Sequence, residues 1–356
     1  MLLHEIVVFA GFLVMVVFLL FLDIGVFNKK DHEVQFKEAF GFTIIWVTLA
    51  LVFWGLVYFF GDKIHGPQNL NELQELVEKY GHPIHLTNNF EESLAIYRHN
   101  LGLEFITGYV IEYSLSVDNI FVILMIFYSF GVEKRYYHRI LFWGILGAIV
   151  MRFVFIFLSS VLIQQFAWVL YLFGALLVFT GAKMFIDRNK AGNIDTANHP
   201  VTRFAARYFS VDKTYSGSRF FIQKEGKIYI TGLFVVLLVI EFSDVIFAID
   251  SVPAIFSITK DPFIVYFSNI FAIIGLRSLF FLVMNLIEKF RYLKIGLSVL
   301  LVFIGFKMLV HHWYAMGTMQ SLMVVLGILV VSILLSLIFP AKGVPRPDLD
   351  RNREEN

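Results

Sequence analysis

The chain has 356 residues, of which 58% are hydrophobic, 17% aromatic and only 16% charged, against about 25% charged in an ordinary soluble domain. With 41 phenylalanines and a mean hydropathy of +0.74, its apolar surface exceeds what one aqueous core can hide and calls for a bilayer as solvent. A net charge of +1 supplies no field for nucleic acid, and the absence of cysteine excludes disulfides, thiolate metal sites and cysteine nucleophiles.

A helix needs about 20 apolar residues to cross the hydrocarbon core. Nine stretches qualify: 4–25, 40–60, 104–130, 139–163, 166–186, 229–257, 263–287, 292–311 and 319–340. The first opens Met1-Leu2-Leu3-His4-Glu5, without the basic n-region of a signal peptide, and reads as a retained span. The chain then divides into two spans within 1–60, an outer segment at 61–103, three spans within 104–186, a basic segment at 187–228, three spans within 229–312, a last span at 319–340 and a tail at 341–356. With the N-terminus outside, the inner segments hold 21 Lys and Arg residues and the outer ones four. That bias predicts an N-outside, C-cytoplasmic protein of the bacterial inner membrane.

The long connections carry local signals. Asn71 to Tyr80 has apolar residues at 73, 76, 77 and 80, followed by Gly81, and predicts a short amphipathic helix with a glycine stop. Around it lie His65, His82, His85 and His99 with several acids; they could collect or release a metal, but read more simply as a solvated polar loop. Glu104 stands at the start of the third span, where a negative charge suits the helix dipole. Asp23 can snorkel to the interface, and His311-His312 falls at a helix end. Residues 220–222 and 228–230 flank Gln-Lys-Glu-Gly-Lys, a weak hairpin signal.

The chain also repeats itself. Leu176-Leu-Val-Phe-Thr-Gly-Ala-Lys183-Met184 matches Leu300-Leu-Val-Phe-Ile-Gly-Phe-Lys307-Met308, and Gly144 to Arg152 aligns with Asn269 to Arg277. Glu112 and Asp118 are six apart, as are Asp244 and Asp250. Each copy holds three spans, and an odd number places the second copy upside down. The expected fold is an all-α membrane protein whose core is two inverted three-helix repeats, with a substrate site near the midplane between them.

That site has candidate residues. Glu112-Tyr-Ser-Leu-Ser116-Val-Asp118-Asn119 and Glu241-Phe-Ser243-Asp244, followed by Asp250-Ser251-Val-Pro253, place five carboxylates within apolar spans. Each costs about 2.5–3.5 kcal/mol at a helix centre on insertion scales, so they must face the interior and have partners, protons or a cation. Carboxylate, amide and hydroxyl oxygens suit a hard divalent ion such as Mg²⁺, Ca²⁺ or Mn²⁺. On a regular helix Asp118 lies about 120° round from Glu112, and Asp250 likewise from Asp244. An interrupted helix would bring them together, and Pro253 marks such an interruption. Arg152 and Arg277 are the natural counter-ions, holding the empty site together or gating it. Alternatively, the acids neutralise Arg152, Arg277, Lys183 and Lys307 in static pairs. No Gly-rich phosphate loop, nucleophile elbow or zinc-hydrolase motif occurs, so the expectation is not an enzyme.

At these residues the chain resembles the TerC/Alx family of bacterial membrane proteins. Glu112 to Asn119 and Glu241 to Ala254 look like its two signature motifs, and Leu22-Asp23-Ile-Gly-Val-Phe, Phe105 to Tyr109, His138 to Gly147, Asp261-Pro-Phe-Ile264 and Gly305 to Met308 also match. The resemblance implies a LysE-like transporter of three-plus-three helices. Although the family is named for tellurite resistance, its better-supported role is Mn²⁺ efflux. It implies Glu112, Asp118, Asn119, Glu241, Asp244 and Asp250 as the metal site, with Ser116, Ser243, Ser251, Arg152 and Arg277 in support. Mn²⁺ is then a transported substrate, with Ca²⁺ left open, and no cofactor is called for. Protons are the expected counter-substrate, because clustered carboxylates repel one another and hold protons more readily. The alternative is a non-transporting scaffold of a stress-resistance or secretion system. Oligomeric state is not encoded legibly.

Overall fold

The structure, a computed structural model, describes residues 3–27, 36–166, 168–186, 202, 211–212, 219–224, 227–286, 292–310, 313 and 316–339. Within them the side chains of residues 3, 23–27, 118, 211–212, 224, 227, 250, 285–286 and 293–294 are not described. Most of the basic 187–228 segment, the tail, His311-His312 and the side chain of Asp23 therefore lie outside the described residues.

The described residues are helical almost throughout. The long apolar helices are α1 (Leu3–Phe27), α2 (Phe36–Phe60), α4 (Phe90–Ser129), α5 (Lys134–Gln165), α6 (Trp168–Ile186), α7 (Gly232–Phe256) and α11 (Thr318–Ile338). Among the described residues these seven are long and apolar enough to cross a bilayer. An eighth span arises if α8 (Pro262–Ile274) and α9 (Leu276–Leu286) count together across their 44° bend. The remaining predicted span is α10 (Leu293–Val310), whose apolar part, Ile295–Val310, is shorter. Nine full spans thus become seven, a bent pair and a short helix: Gly275 interrupts one stretch, and α10 is flanked by 287–291 and 311–312, outside the described residues. Val14, Phe21, Phe59, Phe179 and Val331 all point outward, a surface that only hydrocarbon satisfies. The protein is a multi-pass integral membrane protein.

One boundary differs instructively from expectation. The third span starts at Phe90 rather than 104, because Asn89 caps it, its side chain accepting from the backbone N–H of Glu91 and Glu92. At 40 residues, or roughly 60 Å, α4 is twice the thickness of the hydrocarbon core. Its polar first turns are invisible to a hydropathy window. Ahead of it, a 3₁₀ turn (Gly61–Ile64) leads to α3 (Leu70–Tyr80). Asn69 caps α3, and Gly81 closes it at φ 63°, a left-handed conformation that glycine adopts without steric cost.

At the core lies α8, all thirteen residues of which are buried, as befits a helix that is apolar apart from Ser268 and Asn269. It packs along α4 and α5. Phe12 of α1 meets Phe267 at 4.1 Å between ring centroids, and Phe53 of α2 meets Phe271 at 4.6 Å. The most intimate helix pair is α6 with α10. A methyl group added to Gly174 would stand 2.9 Å from the carbonyl oxygen of Gly305, and one on Gly181 would stand 2.8 Å from that of Ser298. Small residues let two backbones approach this closely without water between them. Before α7, the expected hairpin is present: β2 (Phe221–Lys224) pairs antiparallel with β3 (Lys227–Thr231), Phe221 opposite Ile230. A two-residue strand, β1 (Val211–Asp212), pairs parallel with β3.

Candidate cation site

Three helices bring charge to the middle of the molecule: α4, α5 and α7. Arg152 on α5 is buried, 1% exposed, and its long stem lies in the apolar interior. Its Nη1 donates to Glu112 Oε1 of α4 at 2.5 Å and to Ser251 Oγ of α7 at 2.8 Å. Its Nη2 stands 3.7 Å from Asp244 Oδ1, also on α7. One guanidinium therefore ties together acids from the two halves of the chain. Such a pair is short because the bond is charge-assisted, and Arg is the cation suited to it because it keeps its proton in any protein environment.

The pairing is incomplete. Glu112 Oε2 and Asp244 Oδ2 are buried and have no hydrogen-bond partner among the described residues. A buried carboxylate oxygen without a donor is costly, by about 1–3 kcal/mol or more for a charged group. Among the described residues, no three His, Asp or Glu side chains converge into a ready-made metal site. Asp118 and Asp250 lie six residues beyond Glu112 and Asp244 on α4 and α7, but their side chains are outside the described residues.

The other predicted residues sort themselves around this pair. Ser116 and Asn119 are buried further along α4, and Ser243, also buried, donates to the carbonyl of Val239 within its own helix. Glu241 is half-buried, with its carboxylate seated over Gly147 of α5, where any Cβ would collide with it. Arg277 is buried in α9. Lys183 is exposed, and Lys307 donates to the carbonyl of Ser257 at 3.0 Å, so static pairing of the acids with these two lysines is not what forms. Nor are the acidic helices interrupted: both α4 and α7 run through their acids as continuous helix. Pro253 sits one turn from the end of α7, where few backbone bonds remain to be lost. The break falls instead in the neighbouring α8–α9 pair.

The polar loop is solvated only in part: Glu72, Glu75, Glu78, His85, Glu91, Glu92 and His99 are exposed as expected, but two of its histidines are not. His65 and His82 have fully buried side chains. His65 Nδ1 is 2.8 Å from Glu5 Oε1, and its Nε2 is 2.9 Å from Asp261 Oδ2. His82 Nδ1 is 2.7 Å from Glu104 Oε1. Burial pulls the His65 imidazolium down, but Asp261 and Glu5 together outweigh it and push its pKa up to about 9. His82 is raised too, Glu104 overcoming burial. Burial pushes Asp261 up, but His65, His82 and the Phe263 N–H together hold it below the usual range. Glu104, expected at a helix start, is fourteen residues into α4 and answers His82. Sequence reasoning misses this cluster. The one local signal is Asp261-Pro262, a helix start in which Asp261 accepts from the Phe263 N–H.

Comparison with known proteins decides the family. A model described as "Integral membrane protein TerC family" matches residues 97–343. The chain belongs to the TerC family. Among TerC relatives, the "Uncharacterized membrane protein STKORF319" of Myxococcus xanthus is 42% identical over 341 residues, 96% of this chain and 95% of that protein. The "Putative membrane-bound redox modulator Alx" of Salmonella typhi is 41% identical over 332 residues, 92% of each chain. A Rickettsia bellii membrane protein is 36% identical over 324 residues, 90% of this chain and 93% of its own. No solved structure matches this TerC protein.

Proposed function

We propose that this TerC protein is a secondary transporter, not an enzyme, that exports a divalent metal ion, Mn²⁺ first among the candidates, in exchange for protons. The observation that carries the proposal is the pair of unanswered oxygens, Glu112 Oε2 and Asp244 Oδ2, buried on either side of Arg152. Oxygen ligands of this kind favour a hard cation, and they can hold protons when the cation leaves. Asp118, Asn119, Glu241 and Asp250 complete the proposed ligand set, with Ser116, Ser243, Ser251, Arg152 and Arg277 supporting it.

An inverted three-plus-three core is part of the same proposal. Its support is that the close contacts of α6 and α10 come in exchanged pairs. A shift of 124 residues carries Gly174 to Ser298 and Gly181 to Gly305, so the Gly174–Gly305 contact becomes the Ser298–Gly181 contact with partners swapped. A two-fold relation produces that reciprocity. The proposed orientation is N-terminus outside in a bacterial inner membrane, supported by the cationic bias of the sequence. A redox role of the kind in the Salmonella typhi relative's name would have to proceed without thiols, since the chain has no cysteine.

Uptake of ⁵⁴Mn²⁺ into inverted vesicles tests the proposal. Asp118→Asn and Asp250→Asn are expected to abolish it while the protein stays in the membrane. Undiminished uptake by either variant overturns the assignment. A scaffold predicts instead that cellular manganese is the same with and without the protein.

A further inference from the structure

Residues 61–89 hold two buried imidazoles, and their close ionic contacts all leave the segment. His65 reaches α1 through Glu5 and the start of α8 through Asp261. His82 reaches α4 through Glu104, with the Asn100 amide also bound to that carboxylate at 2.7 Å. Leu73, Val77 and Tyr80 bury the underside of α3 beneath the same segment. The Tyr80 ring lies 5.0 Å from His65 and 6.0 Å from His82, and Tyr97 of α4 lies 5.4 Å from His82. The other charges facing this cluster are Lys260, whose ammonium lies against Gly81, Lys307, within electrostatic reach of Glu104, and Asp62, which is 3.8 Å from Arg98.

The geometry dictates a protonation state. A neutral imidazole has one N–H and one lone pair, whereas the imidazolium has two N–H groups. Both nitrogens of His65 face carboxylate oxygens within 2.9 Å. Only the imidazolium can donate to both; the neutral ring would aim a lone pair at a buried carboxylate. We propose that the His65–Asp261 and His82–Glu104 pairs form a proton-binding site separate from the central acids, whose occupancy clasps residues 61–89 onto α1, α4 and α8. The sign follows from the raised His65 pKa. The clasp is whole below the ordinary value near 6.5 and is lost as pH rises through about 9. Asp261, held low, stays ionised across that window.

The absence of cysteine in the chain makes the test direct. A single cysteine is placed at Leu73, on the buried underside of α3, and labelled with a maleimide in the full-length protein in nanodiscs. Its rate is divided by that of a cysteine at the exposed Glu75, which corrects for the pH dependence of an exposed thiol, and the His65→Gln and His82→Gln backgrounds separate opening from the raised pKa of a buried one. The ratio is expected to rise at least tenfold between pH 7 and pH 10, and to be high already at pH 7 in His65→Gln and His82→Gln. A ratio that stays flat to pH 10, or a step that survives both substitutions, overturns the proposal. Hydrogen exchange of the 70–80 amides in the unsubstituted protein, corrected for intrinsic rates, reads the same opening without any mutation. It should accelerate at least tenfold over the same range, and unchanged protection overturns the proposal. Neither measurement involves a metal, so the result is independent of the transport proposal.

Discussion

The central acids and the His65–His82 cluster face the same problem, charge taken out of water, and answer it with different cations. At the centre a single guanidinium serves Glu112 and Asp244 from different halves of the chain. Arginine does not release its proton, so the positive charge there is fixed and any change in occupancy must fall on the carboxylates. In the cluster, Glu5, Asp261 and Glu104 serve two imidazoles, which do release protons near neutrality when unpaired. A permanent cation suits a place where ligands exchange around a constant frame. A titratable one suits a place where the frame itself is meant to let go.

The comparison can be broken by experiment. Beyond the loss of transport expected for Asp118→Asn and Asp250→Asn, the largest effect should come from Arg152→Met. Removing one partner of a buried ion pair strands the other and costs about 3–5 kcal/mol. Thermal unfolding in detergent should show that loss, with partial recovery in the Arg152→Met/Glu112→Gln double variant. An Arg152→Met protein as stable as the parent would mean that the guanidinium does not organise the centre. His65→Gln comes next, with an expected loss of about 1.5–3 kcal/mol for a buried bond to a charged group. Because the His65 pKa is raised, that loss should be full at pH 6 and absent at pH 10. A loss independent of pH would make His65 a packing residue. Gly305→Val should cost about 1–3 kcal/mol from crowding the α6 backbone, and the smallest effect is expected from Gly41→Ala, which has open space around it and should be neutral.

Much of this architecture is legible in the amino-acid order alone. The long apolar stretches, the α3 helix with its Gly81 stop and the presence of acids inside spans are all written in periodicity and composition. The rest depends on where helices meet. Hydropathy starts the third span at 104 because Arg98 and Asn100 look like water-facing residues, yet Asn100 is buried with Glu104 against His82. His65 and Asp261 are 196 residues apart, and nothing local in either predicts that they meet. Pro253 points to a break that the end of α7 absorbs, while Gly275, which carries no such signal, sits at the real one.

The α6–α10 contact bears on how the protein is made. Gly174 and Gly305 touch, yet roughly 130 residues of synthesis separate them. At about 5–20 residues per second, α6 leaves the ribosome roughly 6–26 seconds before its partner exists. During that interval its glycine face must rest against lipid, because the α10 surface that it packs against has not been translated. Assembly of the two halves is therefore a late event that closes the molecule from its far end, and a ribosome stalled before α10 would leave an inserted but unclosed first half.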